Sequence, residues 1–290
     1  MHTASAKNIL VTGTNSGFGR LTALALAARG HHVYATMRDV AGRNAEAAQA
    51  LAAAAADLPG TIDVVEMSLT SQESVDAGVQ AALAKAGHLD VVVNNAGAAT
   101  MGLCETLTDA QVLAQFDVNV VAPHRVLRAV LPGMRERRSG LVVHVTSTLG
   151  RYIIPAMGIY CVSKHALEAL ADAYNNELRP LGIETVVIQP GAYPTNIGAN
   201  MSVGADQARA PGYGQMAGVV EMMGKALSEM FSGENVPNPQ DVADAIVGVV
   251  DAEGPRPDRV TVDRNGADVS GVNEAHRALQ KGALAAMGMG

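Results

Sequence analysis

Seven short runs rich in Val, Ile and Leu recur along the chain, and longer stretches with helical periodicity separate them. The apolar residues are continuous within each run rather than alternating, which is typical of strands covered on both faces. Strands that alternate with helices form βαβ units around a parallel sheet. The pattern predicts an α/β fold with a doubly wound parallel sheet of about seven strands and helices on both faces. The predicted strands are residues 9–12, 32–35, 62–66, 90–94, 141–146, 184–189 and 259–262.

The chain has 290 residues, which suits one large domain with a substantial core. An Ala-rich stretch at 41–57 predicts a helix, because Ala has the highest helix propensity. Residues 196–239 interrupt the alternation: they are rich in Gly, Met and Pro, and connections of that length are typically lids or disordered inserts. We expect a single domain over residues 1–290, with 196–239 as a substrate lid before the last strand.

Composition excludes several functions. A net charge of -7, an aromatic content of 3% and the lack of Trp leave neither a basic surface nor a stacking platform for nucleic acid. Cys104 and Cys161 form no CxxC pair, so neither a disulfide framework nor a metal site is indicated. We find no secretory leader and no apolar stretch that would span a bilayer. We therefore expect a cytoplasmic protein that binds neither nucleic acid nor membrane.

A glycine-rich turn at 12–19 joins the first strand to the following helix. Gly13, Gly17 and Gly19 permit unusual backbone dihedrals, and they keep Cβ atoms away from a pyrophosphate at the helix N-terminus. The alternative is a tight connection that binds nothing. A Walker phosphate loop is disfavoured because no Gly-Lys-Ser/Thr sequence ends the turn.

The second strand ends in Thr-Met-Arg, which bears on the choice of cofactor. An NAD site requires an acidic residue for the ribose 2′-hydroxyl, whereas an NADP site requires a cation for the 2′-phosphate. Arg38 offers a guanidinium to that phosphate, so we expect NADP(H) to be preferred over NAD(H). Two alternatives stay open: Arg38 is a solvated loop charge, or Asp39 serves NAD because the strand runs further.

Tyr160 and Lys164 are four residues apart, so on a helix they share one face. A free tyrosine, with a pKa near about 10, is a poor acid-base group at neutral pH. A neighbouring ammonium favours the phenolate and brings the phenol's pKa closer to working pH. The alternative is that Tyr160 is only a buried, hydrogen-bonded side chain.

Five short motifs occur in order over about residues 7–195. They are TGxxxGxG at 12–19, NNAG at 94–97, VTS at 145–147, YxxxK at 160–164 and PGxxxT at 190–195. In this combination the chain resembles the short-chain dehydrogenase/reductase family. The resemblance implies a Rossmann-like fold and hydride transfer between a nicotinamide cofactor and a carbonyl or alcohol group.

The resemblance also implies catalytic roles. Tyr160 would pass a proton to or from the substrate oxygen, Ser147 would hold that oxygen by a hydrogen bond, and Lys164 would tune Tyr160 and bind the nicotinamide ribose. Asn119 would kink its helix and hold a water that links Lys164 to solvent, although an Asn in a helix is often only a local backbone binder. His144, beside this site in sequence, matches no family role, and we expect it to be structural or exposed.

Cofactor contacts are implied by the same resemblance. One departure is Ser68-Leu69, where family members often carry an Asp-Val pair beside the adenine. The implied cofactor-binding residues are Gly13, Asn15, Ser16, Gly17, Phe18, Gly19, Arg38, Ser68, Leu69, Asn95, Ala96, Gly97, Tyr160, Lys164, Pro190, Gly191, Tyr193 and Thr195.

Substrate specificity is expected from the loops after the fourth and fifth strands and from the 196–239 segment. Methionines in that segment adapt to irregular apolar shapes, which favours a bulky hydrophobic ketone or alcohol, unless they form the core face of lid helices. Arg151 is a possible polar contact for such a substrate. The predicted substrate residues are Ser147, Leu149, Tyr152, Tyr160, Tyr193 and Met201.

The function we predict is an NADP(H)-dependent ketoreductase acting on a hydrophobic carbonyl substrate, with features closer to the retinoid and steroid members of the family. The alternatives are a catalytically silent NADPH-sensing regulator and an NAD-dependent alcohol or steroid dehydrogenase. A sugar-nucleotide enzyme is disfavoured because those chains are longer. The resemblance implies a homodimer or homotetramer.

Overall fold

The computed structural model describes residues 5–232, 235–264, 266 and 268–289. The strands are β1 (Asn8–Thr12), β2 (His32–Met37), β3 (Thr61–Glu66), β4 (Val91–Asn94), β5 (Thr100–Met101), β6 (Gly140–Val145), β7 (Ile183–Pro190), β8 (Ser202–Val203) and β9 (Arg259–Val262). The α-helices are α1 (Gly17–Ala28), α2 (Ala45–Ala54), α3 (Gln72–Ala86), α4 (Asp109–Phe116), α5 (Ala122–Arg137), α6 (Gly158–Leu178), α7 (Asn196–Ala199), α8 (Val219–Met230), α9 (Gln240–Asp251) and α10 (Ser270–Ala286).

The main sheet has seven strands in the order β3-β2-β1-β4-β6-β7-β9, and every neighbouring pair is parallel. All seven predicted strands are present, so the predicted doubly wound α/β fold is confirmed. The strand order reverses direction between β1 and β4, which is where ligands bind in such sheets, outside the carboxyl ends of the strands. The carboxyl ends of β1, β4, β6 and β7 bring the glycine turn and the other motifs to one edge.

Both faces of the sheet are buried, as the continuous apolar runs require. Ile9 and Val11 pack with residues of α1 and α9 in one apolar cluster. Leu10 points the other way and packs with residues of α3 and α5 in a second cluster. Alternate side chains of one strand therefore contribute to two different cores, which is why the run contains no polar gap.

The helix predicted from the Ala-rich stretch is shorter at both ends than 41–57. Before it, the backbone N–H groups of Gly42 and Asn44 both donate to the carbonyl of Asp39, which forms a compact turn instead of a first helical turn. After it, Ala55 and Ala56 bond to the carbonyls three residues back, the pattern of a tightened terminal turn. Local turn bonding therefore overrides the high helix propensity of Ala at both boundaries.

The 196–239 segment contains α7, β8, a 3₁₀ stretch at Gln207–Gly218 and α8. Strand β8 pairs in parallel with β5 in a separate two-stranded sheet, so that Thr100 is opposite Ser202. The sequence pattern predicted neither of these strands, because two residues are too few to show periodicity. Pairing fixes the first part of the segment against the loop that follows β4.

Within the described ranges, no helix combines the length and hydropathy that a membrane crossing requires. The same residues contain no group of three or more His, Cys, Asp or Glu side chains arranged to hold a metal ion. Cys104 and Cys161 are both free thiols, the first exposed and the second buried.

Candidate active site

The glycine turn lies between β1 and α1, at positions where a side chain does not fit. Gly13 has a φ of +70°, and a Cβ there would lie 2.9 Å from Ala96 Cα. A Cβ on Gly19 would overlap the carbonyl oxygen of Gly13 and the side-chain amide of Asn95. The turn and the segment after β4 therefore pack backbone to backbone, which leaves the turn's outer face open to a ligand.

The N-terminus of α1 faces outward from this turn. Ser16, the N-cap residue, makes no capping hydrogen bond through its side chain, and the first helical turn has no acidic residue. The unpaired leading N–H groups and the positive end of the helix dipole suit an anion such as phosphate. Thr12 Oγ1 accepts the N–H groups of Asn95 and Ala96 at 3.0 and 3.1 Å, which fixes the NNAG segment beside the turn.

Two charged residues follow β2: an exposed arginine and an aspartate that is hydrogen-bonded within its own turn. The strand runs to Met37, and Arg38 is exposed, with no ion pair to any residue that the structure describes. Asp39 has a φ of +52°, and its carboxylate accepts the backbone N–H of Arg43 at 2.9 Å. The Asp39 carboxylate is therefore occupied by its own turn, whereas the Arg38 guanidinium is available to a ligand.

Three further predicted cofactor residues lie along the same edge. Asn15 Nδ2 donates to Asn44 Oδ1 at 3.2 Å, which links the glycine turn to the start of α2. Ser68 and Leu69 follow β3 and are half-buried. The Ser68 N–H donates to Ser74 Oγ at 2.8 Å, so this backbone is fixed two strands away from the glycine turn.

The segment after β7 closes against α1. A Cβ on Gly17 would lie 3.4 Å from Thr195 Cβ, and the rings of Phe18 and Tyr193 meet edge to face at 5.6 Å. Tyr193 is 5% exposed, and its buried hydroxyl has no hydrogen-bond partner among the described residues. It packs in the α1/α9 cluster and not in the apolar cluster that contains Tyr160, so it is separated from the predicted substrate residues Leu149 and Met201.

Tyr160 and Lys164 lie on one face of α6, as their spacing predicts. The predicted lowering of the phenol's pKa is wrong for this structure: burial raises the pKa of Tyr160 to about 12, and only a hydrogen bond with Ser147 acts in the opposite direction. Burial lowers the pKa of Lys164 to about 8, although Glu168 raises it. Lys164 Nζ lies 5.7 Å from the centroid of the Tyr160 ring and donates to the carbonyl of Val145 at 3.1 Å.

Ser147 follows β6 and lies beside Tyr160. Its hydroxyl accepts the N–H of Leu149 at 3.1 Å and lies 3.4 Å from the carbonyl oxygen of Pro190. Pro190 ends β7, and the next residue, Gly191, donates its N–H to Val262 at 2.9 Å. Two adjacent strand ends thus fix Ser147, and the structure brings its hydroxyl together with the phenol of Tyr160.

Asn119 lies in a π-helical stretch, Asp117–Val121, between α4 and α5. Its Oδ1 accepts the N–H of Ala98 at 2.8 Å, and its Nδ2 donates to the Ala98 carbonyl at 2.9 Å and to Ser163 Oγ at 3.0 Å. A Cβ on Gly97 would lie 3.5 Å from Asn119 Oδ1 and 3.6 Å from Lys164 Nζ. The side chain therefore joins the loop after β4 to α6, and the helix irregularity predicted at Asn119 is present.

Tyr160 belongs to a third apolar cluster, separate from the two clusters that cover the sheet. Leu149 and Met201, two predicted substrate residues, pack against this cluster, whereas Tyr152 is half-buried outside it. The methionines of the 196–239 segment divide: Met223 packs on the cluster, and Met222 is 67% exposed. Only part of the segment's methionine content therefore lines the site.

Three buried polar residues near the site were not recognised as important from the sequence. Arg151, considered as a substrate contact, instead lies 2.8 Å from Glu168, and its side chain is only 9% exposed. Glu168 is four residues beyond Lys164, and that helical spacing was the available signal. His144 is fully buried, with both ring nitrogens unpaired within the described residues, and burial lowers its pKa to about 4.

The arrangement fits a nicotinamide dinucleotide along the carboxyl edge of the sheet. The uncapped N-terminus of α1 suits the pyrophosphate, and a side chain at Gly13 or Gly19 would remove the close backbone approach. Lys164 and Tyr160 lie at the far end of that edge, where a redox ring would meet a substrate.

Comparisons with known proteins agree with this fit. The sequence model of the short chain dehydrogenase family matches residues 7–205. The chain is 36% identical over 246 residues to the Bacillus subtilis protein called uncharacterized oxidoreductase YusZ, covering 83% of each chain. It is 31% identical over 258 residues to human retinol dehydrogenase 8, covering 87% of this chain and 80% of the relative.

Solved structures share the whole architecture. A short-chain dehydrogenase from Streptomyces avermitilis has a TM-score of 0.77 at 31% identity, covering 97% of this chain and 95% of the other. A Sphingobium yanoikuyae short-chain dehydrogenase in complex with NADPH has a TM-score of 0.70 at 22% identity, covering 94% and 93%. A Burkholderia phymatum relative in complex with NAD has a TM-score of 0.74 at 23% identity, covering 97% and 96%. This chain belongs to the short-chain dehydrogenase family and is an oxidoreductase of the class that acts on CH–OH and C=O groups.

Proposed function

We propose that the protein is an NADP(H)-dependent ketoreductase that interconverts a hydrophobic ketone or aldehyde and the corresponding alcohol. The observation that carries this proposal is the convergence of Tyr160, Ser147 and Lys164 beneath an apolar cluster. A regulator that only senses NADPH has no need of a buried phenol, hydroxyl and ammonium at one point.

In the reduction direction, a bound nicotinamide cofactor would supply the hydride for the carbonyl carbon. Ser147 donates a hydrogen bond to the carbonyl oxygen, where negative charge develops. Tyr160 gives its phenolic proton to that oxygen, which completes the alcohol. The phenol carries this proton at neutral pH, and burial, which raises the pKa of Tyr160 to about 12, opposes its loss before hydride transfer.

Lys164 and Asn119 support the proton transfer. With a pKa of about 8, Lys164 is mostly protonated at neutral pH, and its charge stabilises the phenolate left on Tyr160. Lys164 also binds the nicotinamide ribose. Asn119 fixes the loop after β4 to α6 and anchors the route by which a water reprotonates the site.

Preference for NADP(H) over NAD(H) rests on the end of β2. The exposed Arg38 meets the 2′-phosphate, while the Asp39 carboxylate is held by the N–H of Arg43. The uncapped N-terminus of α1 binds the pyrophosphate. An NAD-dependent alcohol or steroid dehydrogenase is the second candidate, because a structural relative is a complex with NAD.

The 196–239 segment acts as the substrate lid of a single domain. Val219, Met223 and Leu227 of α8 pack in the cluster around Tyr160, so the lid supplies an apolar wall. Likeness to retinol dehydrogenase 8 favours a bulky apolar substrate. We also propose a cytoplasmic homodimer or homotetramer that binds no nucleic acid.

The proposal is tested by initial rates of NADPH and of NADH consumption against a panel of carbonyl compounds. The panel runs from small ketones and 3-oxoesters to steroid and retinoid carbonyls. We expect faster turnover with NADPH and higher kcat/KM for the larger apolar substrates. Consumption of neither cofactor, combined with tight NADPH binding, would favour the regulatory alternative.

A further inference from the structure

Glu168 is a carboxylate buried in α6, one helical turn beyond Lys164, with 1% of its surface exposed. Its Oε1 accepts a hydrogen bond from Thr146 Oγ1 at 2.6 Å and another from Gln189 Nε2 at 3.0 Å. Burying a carboxylate costs free energy unless it is paired and hydrogen-bonded. Glu168 therefore requires cations and hydrogen-bond donors around it.

Two guanidinium groups pair with the other oxygen of Glu168. Arg151 Nη2 lies 2.8 Å from Oε2, and Arg259 Nε lies 2.9 Å from the same atom. Arg259 also reaches Asp172, the next acid along α6, at 2.6 Å. Glu168 is thus the point at which the loop after β6, the strand β9 and the helix α6 meet.

These contacts involve residues on both sides of Ser147 in the sequence. Thr146 comes immediately before it and Arg151 comes four residues after it, and both are held by the same carboxylate. A Cβ on Gly150 would lie 2.9 Å from Glu168 Cγ, so the loop backbone itself packs on this side chain. The segment carrying Ser147 is therefore fixed at both ends to the helix that carries Tyr160.

The charge of Glu168 also acts on Lys164. Lys164 is 4% exposed, and burial lowers the pKa of its ammonium while Glu168 raises it. Without the carboxylate, two guanidinium groups would remain near a third buried cation. The titratable and charged groups around this point are Tyr160, Cys161 and Asp172 on α6, His144 on β6, Arg151 after β6, Arg259 on β9 and His276 on α10.

We propose that Glu168 is a positioning residue of this active site. It fixes the Ser147 segment against α6, so that the serine hydroxyl and the Tyr160 phenol meet at one substrate oxygen, and it keeps the Lys164 ammonium protonated. The catalytic part of this inference rests on the proposed function. The effect of Glu168 on the pKa of Lys164 can be measured without turnover.

Three variants separate this role from ordinary structural support. Glu168→Gln keeps the size of the side chain and removes its charge. Asp172→Asn is the matched control, since it removes a half-buried acid from the same helix and from the same partner, Arg259, without touching the Ser147 segment. Arg151→Met removes a positive charge instead, so its effect on the Lys164 pKa has the opposite sign.

The first readout is the titration of Lys164 by NMR, in protein carrying ¹³C at the lysine ε-carbons. The chain has five lysines, and Lys164→Arg identifies the signal. We expect the Lys164 pKa to fall by about one unit in Glu168→Gln and to rise in Arg151→Met. Asp172→Asn is expected to cause a clearly smaller change. If Glu168→Gln does not fold, the test is whether the pKa of Lys164 rises in Arg151→Met.

The second readout is steady-state reduction of the best carbonyl substrate with NADPH. We expect Glu168→Gln to lower kcat about 10- to 100-fold while the KM for NADPH changes little, because misplacement of Ser147 affects the transition state. Unchanged Lys164 titration in Glu168→Gln or Arg151→Met would overturn the proposal, as would equal effects of Glu168→Gln and Asp172→Asn. A wild-type protein without turnover would sink the proposed function alone, since the NMR titration would still decide the role of Glu168.

Discussion

The ammonium nitrogen of Lys164 lies 5.7 Å from the centre of the Tyr160 ring, on the same face of α6 and in a buried environment. Burial opposes charge on both groups: it raises the phenol's pKa and lowers that of the ammonium. A phenolate formed beside a protonated lysine is the state in which the two charges compensate. Ionisation of the Tyr160 phenol is therefore favoured while Lys164 stays charged.

Arg38 is expected to set the cofactor preference. Arg38→Ala should raise the KM for NADPH about 10- to 100-fold and leave the KM for NADH nearly unchanged, because a charge-assisted contact to the 2′-phosphate is lost. Steady-state kinetics with both cofactors measure this. Arg135→Ala is the control, since Arg135 is exposed near the end of α5, at the opposite edge of the sheet. Equal changes with NADPH and NADH would contradict the assignment.

Two neighbouring methionines of α8 test whether this helix lines the substrate site. Met223 packs in the cluster around Tyr160, whereas Met222 is 67% exposed. Met223→Ala should raise the KM for a bulky apolar ketone by roughly tenfold through lost apolar contact, and Met222→Ala should leave it unchanged. Kinetics with a small ketone complete the comparison, because a small substrate should not sense Met223. Indistinguishable variants would show that α8 does not line the site.

The close approach at Gly19 predicts a loss of both stability and cofactor affinity. A Cβ there would overlap the Gly13 carbonyl and the Asn95 amide, so Gly19→Ala should lower the free energy of unfolding by about 1–3 kcal/mol and weaken NADPH binding. A Cβ on Gly248, in α9, would have no atom from outside its own helical turn within 4 Å among the described residues. Gly248→Ala should instead stabilise by about 0.5–1 kcal/mol. Urea unfolding and NADPH fluorescence titration of both variants check the contrast.

His144 is expected to destabilise the fold in acid. Burial lowers its pKa to about 4, from 6.5, so between these pH values the unfolded chain binds a proton that the folded chain does not. The free energy of unfolding should therefore fall as pH drops from 6.5 to 4, by up to about 3 kcal/mol from this residue.

Urea unfolding at pH 7 and at pH 4.5 measures that dependence. His144→Asn should reduce the difference between the two pH values, whereas His88→Asn, at a side chain that is 46% exposed, should not. An unchanged pH dependence in His144→Asn would show that other groups cause the acid sensitivity.

The sheet could be predicted from sequence because each strand is an uninterrupted apolar run. Such runs require burial on both faces, and the structure has all seven strands in one parallel sheet. The two-residue strands β5 and β8 could not be predicted in this way. Their pairing depends on the position of the 196–239 segment in space, which no local pattern encodes.

Helical spacing predicted that Tyr160 and Lys164 share one face of α6, and the family resemblance implied that Ser147 lies beside them. The polar network beneath them was not predicted. The partners of Glu168 follow β6 or lie in β7 and β9, up to 91 positions away in sequence, so its surroundings exist only in the folded chain. Arg151, whose sequence position suggested substrate contact, instead forms an ion pair with that same carboxylate.

The most direct test of the account is the turnover of Tyr160→Phe, measured with NADPH and the best carbonyl substrate beside wild type. The variant removes one oxygen from a buried ring. We predict a kcat at least about 100-fold lower, with NADPH binding retained in a fluorescence titration, because proton donation is lost while the cofactor site is intact. Tyr174→Phe, which removes a phenolic oxygen bonded to His124 farther along α6, should retain wild-type kcat. A Tyr160→Phe enzyme with unchanged turnover would contradict the account.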